Sequence, residues 1–363
     1  MTDLVPTREH EELATSVRQL LQKGKSPEDT WFALCDQIGA AALTIPEEHG
    51  GAGFTLAETY VVLEELGYAL TPSPLLSTVV ASRSLAAEPR EGAPATEATD
   101  SRSLGTESRE GAPATEATSE SLAAQLLPRI AEGTTATLAT GDVTWNGALS
   151  GTATPVLHAD VAEFLLVAAK HDDGVGLFSV DPEAMGLTRT PLAGMDPTLS
   201  FATLDFTDVD ADPISMDATE ALAAAHRVGM LATAALQVGC AQRGLDMTVA
   251  YAKEREQFGR PIGSFQALKH RMADMLVKVQ MSRSGAWAAV QAHVHGTPNA
   301  DRLAAAAASY CSEAALHVAS ETIQLHGGIA ITWEHDAHLV LKRAQSLSRL
   351  YGAPHEQRAA LIP

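Results

Sequence analysis

Tyr251-Ala-Lys-Glu-Arg-Glu-Gln-Phe-Gly-Arg-Pro-Ile-Gly-Ser-Phe-Gln266 separates two long helix-forming patterns. Gly259 and Pro261 break the chain there, and Ser264 can cap the helix that follows. Upstream, residues 217–254 contain no proline and few glycines, which predicts one long helix. Downstream, Gln266–His293 repeats Leu268, Met272, Met275, Leu276 and Val279 at helical spacing. Arg255 falls at the end of the first helix, free to reach outward. Its planar fork suits a diphosphate, to which it can make paired, charge-assisted hydrogen bonds. Phe258 and Phe265 offer flat apolar surface for an adenine-like ring. A plain helix C-cap, with the arginine on the last carbonyls, fits the same residues.

Two further helices follow, an alanine-rich one over Asn299–Leu325 and another over Glu334–Leu350, so residues 216–363 are expected to form a four-helix bundle. Between them stands a second segment, Gln324-Leu-His-Gly-Gly-Ile-Ala-Ile-Thr-Trp-Glu334. A glycine pair at a helix end lets a ligand or another backbone come close, or simply caps the helix. No GxGxxG follows a strand, which argues against a Rossmann cofactor site. His335 and His338 are three apart on one helix, but no carboxylate spacing accompanies them, and no metal site is expected.

The N-terminal part, residues 1–125, reads as helical. Glu9–Gln22 is amphipathic. Ser26-Pro27-Glu28-Asp29 is a helix start, with the serine as N-cap and proline at the first position. Ile45–Gly51 reads as a loop, and Leu56–Leu66 as a helix ended by Gly67. Within this part, SRSLAAEPREGAPATEAT from Ser82 recurs as SRSLGTESREGAPATEAT from Ser101, 19 residues later. Two copies with almost no apolar face cannot stack as a solenoid, so residues 82–118 are expected to be a mobile surface insert. Residues 126–215 change period. Short runs at 134–140, 164–169, 175–180 and 201–206, separated by Gly and Asp turns, predict a small antiparallel β domain of barrel-like form.

With 363 residues, 45% of them apolar, the chain can bury a large core. Its 25 basic and 45 acidic residues give a formal charge of −20 and no basic cluster, which disfavours nucleic acid and anionic membranes. A few local arginines can still hold a small anion. Cys35, Cys240 and Cys311 are widely spaced and read as buried, reduced thiols. The N-terminus lacks an apolar leader, no apolar run approaches a bilayer span, and a cytoplasmic protein is expected.

Together these segments resemble the acyl-CoA dehydrogenase family. That family carries a YAxxRxQFGxPIxxFQ segment and a later QxxGG segment. Its IPExxGGxG loop is matched by Ile45-Pro-Glu-Glu-His-Gly-Gly-Ala-Gly53, and its MD-x-T-x-S step by Met195-Asp-Pro-Thr-Leu-Ser200. The resemblance implies an α–β–α fold, a dimer or tetramer, and FAD at the subunit boundary. It implies that Arg255 grips the diphosphate of a neighbour's FAD, with Gln257, Phe258, Phe265 and Gln266 nearby. It also implies that Gln324, Gly327 and Gly328 close over the adenosine half. The implied chemistry is α,β-desaturation of an acyl-CoA thioester, with an electron-transfer flavoprotein as acceptor.

The chain departs from the family at the base. One family position for the catalytic glutamate falls on Tyr351 and the other on Gly229. A tyrosine, with an ordinary pKa of about 10, is a poor base at neutral pH. The TEPxxGSD segment that cradles the flavin ring is replaced by Leu138-Ala-Thr-Gly-Asp-Val143. The expected role is therefore a subunit that completes the FAD site of a second, catalytically whole dehydrogenase subunit in an α2β2 assembly. Two alternatives stand beside it: a self-sufficient homomer with a relocated carboxylate, for which Glu356 is a candidate and Glu334 a weaker one, and a flavin-free scaffold.

Overall fold

The computed structural model describes residues 5–24, 26–86 and 122–361. The chain opens with four helices, α1 (Arg8–Leu21), α2 (Pro27–Ile38), α3 (Leu56–Ala69) and α4 (Leu75–Ala86). The first three starts are written locally. Thr7 and His10 form a reciprocal capping box on α1. The Ser26 hydroxyl accepts from the Asp29 N–H at 3.1 Å on α2. The Thr55 N–H donates to Glu58 Oε2 at 2.9 Å on α3.

Gly67 does not end α3. The helix continues to Ala69, and Gly67 instead faces the long helix of the C-terminal bundle, where an added Cβ would stand 2.2 Å from the Leu236 carbonyl oxygen. A close helix crossing, not a stop, explains this glycine.

The repeat also begins inside the fold rather than in a surface loop. Ser82, Ser84 and Leu85 are buried on the last turns of α4. The two serines return their hydroxyls to the helix, Ser82 to Val79 O at 3.0 Å and Ser84 to Ala81 O at 2.7 Å, which lets polar side chains sit in a dry position. The rest of the 82–118 repeat, from residue 87, lies outside the described residues. Helix α5 (Leu122–Ala131) follows and packs Ile130 and Leu127 under α4.

Eight strands make the middle region: β1 (Ala136–Ala139), β2 (Asp142–Trp145), β3 (Leu149–Leu157), β4 (Phe164–His171), β5 (Gly174–Val180), β6 (Leu187–Leu192), β7 (Phe201–Val209) and β8 (Asp212–Ser215). Their order is β6-β7-β3-β2-β4-β5-β8, with β1 alongside β4. The sheet is not wholly antiparallel as expected, because β1 and β2 both run parallel to β4. The β2–β3 hairpin between β1 and β4 supplies the chain length that a parallel pairing needs.

The C-terminal part holds α6 (Thr219–Glu254), the two-strand hairpin β9 (Glu256–Gln257) and β10 (Arg260–Pro261), then α7 (Gln266–Val294), α8 (Ala300–His326), α9 (Ala337–Leu347) and the short α10 (Pro354–Ala359). α9 starts at Ala337 rather than Glu334, because Gly327–Ile331 forms a 3-10 turn and Thr332 is extended. α6 contains an 18-residue window apolar enough to span a bilayer, but 78% of that window is buried inside the protein, as befits the central helix of the bundle. Arg343 of α9, only 1% exposed, ties the three parts together. Its guanidinium donates to Thr198 O of the β region and to Thr71 O of the N-terminal helices, each at 3.0 Å.

Candidate functional site

The RxQFG segment forms an exposed hairpin at the end of α6. Gln257 pairs with Arg260 and Glu256 with Pro261, so Phe258 and Gly259 are the turn, with φ of 53° and 75°. Two consecutive left-handed residues match the sense of a tight hairpin turn, a place that usually prefers Asn-Gly. Phe258 is 91% exposed, and its ring meets Phe265 edge-on at 6.1 Å. Arg255 is exposed at the C-cap of α6, and its side chain has no ion-pair or hydrogen-bond partner among the described residues. Gln257 and Gln266 are exposed on the same segment. Sequence reasoning missed Arg260, whose guanidinium lies 4.2 Å from the centre of the Phe265 ring. The segment therefore offers two cationic forks and two aromatic faces.

The glycine pair sits next to it. Tyr251, one turn before Arg255, stacks on His326 with ring centres 4.6 Å apart, and His326 immediately precedes Gly327. His335 closes against His326 at 4.5 Å. Two motifs that lie far apart in sequence thus meet through an aromatic contact. The His326 ring nitrogen Nδ1 lies 2.7 Å from Thr322 O, and burial pulls its pKa below the ordinary histidine value. Gln324, Gly327 and Gly328 are exposed. A Cβ at either glycine would meet nothing within 4 Å, so the backbone there is open to a ligand. Among the described residues no group of His, Cys, Asp and Glu could hold a metal ion. Cys240 and Cys311 are buried free thiols, and Cys35 is half-buried.

Tyr351 and Gly229, the two positions at which the resemblance led a base to be expected, face each other. A Cβ on Gly229 would lie 2.4 Å from the Tyr351 ring, so the ring rests on bare backbone. Burial pushes the Tyr351 hydroxyl above the ordinary tyrosine range. His226 meets the same ring edge-on at 6.0 Å. Glu356 accepts from the Ala353 N–H at 2.7 Å and so anchors the start of α10. Glu334 is exposed beyond the glycine pair. Residues 138–143 run from the end of β1 through the Thr140-Gly141 turn into β2: Ala139 and Val143 are buried, and Asp142 pairs with Lys170 at 3.2 Å.

Residues 7–91 match the acyl-CoA dehydrogenase N-terminal domain, and residues 221–361 the acyl-CoA dehydrogenase C-terminal domain. Acyl-CoA dehydrogenase IpdE2 of Mycolicibacterium smegmatis is 38% identical over 97% of both chains. The chain belongs to the acyl-CoA dehydrogenase family. Acyl-CoA dehydrogenase FadE27 of Mycobacterium tuberculosis is 30% identical over 93% of this chain and 87% of its own. Among solved structures, a variant of the Tcur3481–Tcur3483 steroid acyl-CoA dehydrogenase is 28% identical with a TM-score of 0.80, over 97% of this chain and 96% of that one. The ChsE4–ChsE5 complex from Mycobacterium tuberculosis is 26% identical with a TM-score of 0.81, over 99% and 97%.

Membership makes the protein an oxidoreductase of the acyl-CoA dehydrogenase type, with FAD as cofactor. The residues present fit part of that cofactor. An exposed Arg255 without an ion-pair or hydrogen-bond partner among the described residues, on a segment that also presents Phe258 and Phe265, together with an open glycine backbone, suits a dinucleotide.

Proposed function

We propose that this chain is the non-basic half of a heteromeric acyl-CoA dehydrogenase. It completes the FAD site of a partner subunit, and the partner supplies the carboxylate that removes the α proton of the acyl-CoA thioester. The observation that carries this proposal is the filled base position, where the Tyr351 ring occupies the space that a Gly229 side chain would need. No ionised carboxylate stands there to act as base.

Bound FAD supplies the two-electron acceptor for the β hydride. Arg255 holds the diphosphate through paired charge-assisted hydrogen bonds. Phe258 and Phe265 cover the adenine, and Gln257, Gln266 and Gln324 offer amides to the ribose and phosphate edges. Gly327 and Gly328 let the chain close over the adenosine half. Two solved neighbours bear paired names, the Tcur3481–Tcur3483 steroid dehydrogenase and the ChsE4–ChsE5 complex. That supports an α2β2 assembly acting on the CoA thioester of a steroid or related lipid, with an electron-transfer flavoprotein as acceptor. A relocated base is less favoured, because Glu356 is engaged in capping α10.

Co-expression with a second acyl-CoA dehydrogenase chain that carries the glutamate tests this. The expected result is a colourless, inactive chain alone and a yellow pair whose flavin is bleached by an acyl-CoA. A chain that binds FAD alone and reduces it with an acyl-CoA overturns the proposal.

A further inference from the structure

A cleft of about 530 Å³ lies between the end of α4, the first turns of α6 and the α7–α8 connection. That volume is in the range of small-molecule sites. Arg83, Arg227 and His293 enter it from three different helices, and Val79, Leu127 and Val228 form apolar walls. The cleft is separate from the Gly229–Tyr351 contact. On α6, Gly229 points roughly 150° away from the mean direction of Arg227 and Val228, at about 100° per residue.

The basic groups are unequally matched. Arg227 Nε lies 2.6 Å from Asp301 Oδ1 and is paired. Arg83 is half-buried, and its Nε is a buried atom with no hydrogen-bond partner among the described residues. Burial is the largest influence lowering the Arg83 pKa, repulsion from Arg227 adds to it, and Glu220 offsets part. His293 is held below its ordinary value by burial first, then by Arg83 and Arg227, which leaves it neutral at pH 7. A buried N–H without an acceptor is costly, and nearly all such groups in folded proteins are satisfied. Among the residues lining the cleft, Arg83 and Arg227 carry two positive charges and Asp301 one negative; Glu220 acts on Arg83 from outside the lining, so the lining itself presents one positive charge in excess. Its walls match hydrocarbon.

We propose that this cleft binds a carboxylate carried on an apolar body, with Arg83 as the principal anchor. The carboxylate can belong to a free organic acid or to the far end of a carboxyacyl-CoA. A planar carboxylate can take two parallel N–H donors from one guanidinium, a geometry that a neutral isostere cannot use. The site is independent of the subunit role proposed above.

Calorimetric titration of the full chain tests it, with cyclohexanecarboxylate, cyclohexylmethanol, inorganic phosphate, adipoyl-CoA and hexanoyl-CoA as probes. Cyclohexanecarboxylate is expected to bind at least tenfold more tightly than the alcohol or phosphate. Arg83→Met is expected to weaken it at least tenfold, while the unliganded variant melts close to the parent, since the half-buried side chain leaves its Nε without a hydrogen bond among the described residues. Arg83→Lys keeps charge but loses the fork, and is expected to weaken binding about threefold or more. It decides the matter if Arg83→Met does not fold. An Arg83-dependent preference for adipoyl-CoA over hexanoyl-CoA assigns the carboxylate to the substrate. Tight binding of the free acid without that preference assigns it to a separate ligand. Equal binding of acid and alcohol, no binding of either carboxylate, or affinity unchanged in both variants overturns the proposal. FAD content of the co-expressed pair is read in parallel. Arg83→Met should leave it intact, so a colourless pair with intact acid binding counts against the subunit role alone.

Discussion

The ring of Tyr351 lies flush against the backbone of Gly229, where an added methyl group would come within 2.4 Å of the ring. Under the proposed reading these are the two positions at which a catalytic glutamate is expected. One holds the filler and the other makes room for it, so reversing either alone creates a clash or a void. Tyr351 is half-buried, and the packing around its hydroxyl lowers its acidity, because its anion would lose water.

That arrangement predicts asymmetric effects. Tyr351→Phe should leave turnover of the assembled enzyme within about twofold and its pH profile unmoved, because the phenol does no proton transfer at neutral pH. Gly229→Ala should cost about 1–3 kcal/mol of stability, the usual penalty for overpacking a filled site. Steady-state rates and denaturant melts read the two effects separately. A hundredfold loss of rate in Tyr351→Phe would show that the hydroxyl takes part in the chemistry.

Arg255 predicts the opposite division. Its exposed side chain has no ion-pair or hydrogen-bond partner among the described residues, so Arg255→Met should leave the melting of the isolated chain unchanged. In the assembled complex it should remove charge-assisted bonds worth about 2 kcal/mol, or roughly thirtyfold in FAD affinity. Flavin fluorescence during titration of the deflavinated complex measures the loss. A variant that keeps full FAD affinity places the diphosphate elsewhere.

Phe258 occupies a backbone conformation that suits asparagine better. Its φ is 53°, and a left-handed conformation costs an ordinary residue about 1–2 kcal/mol. Phe258→Asn should therefore hold or raise hairpin stability while weakening FAD binding, since an exposed aromatic face is lost. Stability that falls together with affinity would mean that the ring supports the hairpin rather than the cofactor.

What could be read from the sequence was whatever the local pattern fixes. α6 was legible because nothing between residues 217 and 254 breaks a helix, and α2 because Ser26-Pro27 starts one. β6 was not legible, because none of its residues is buried and Leu-Thr-Arg-Thr-Pro-Leu carries no apolar–polar alternation. β3 was hidden by small and polar residues at its centre. In the candidate site, the family resemblance pointed to Tyr351 and Gly229 as the expected base positions but could not reveal that they touch. The Tyr251–His326 stack that joins the two segments proposed to hold the cofactor is likewise a product of helix packing. Arg343 reads in sequence as one more basic residue on an amphipathic helix. Its role comes from carbonyls 145 and 272 residues away in the chain, and no local pattern encodes that.

His158 gives the fold a defined acid sensitivity. It is buried between α4 and the β region, its Nδ1 3.0 Å from the Ser77 hydroxyl. Burial first, and then the positive charge of Arg343, lower its pKa to about 4, with Asp160 opposing. Between that value and the ordinary 6.5 the unfolded chain binds a proton that the folded chain refuses. Stability from this group is thus fully present above pH 6.5, falls as pH drops toward 4, and levels off below. From pH 7 to pH 5 the loss should be about 2 kcal/mol. Carboxylates elsewhere in the protein also titrate near pH 4, so the informative quantity is a difference. His158→Gln can keep a polar contact to Ser77 without taking up a proton. Its stability should therefore fall less than the parent's over the same interval, by about that amount, in urea melts at pH 7 and pH 5. Parallel losses in parent and variant would mean that His158 titrates as it does in water and is not held dry by the packing of α4 on the sheet.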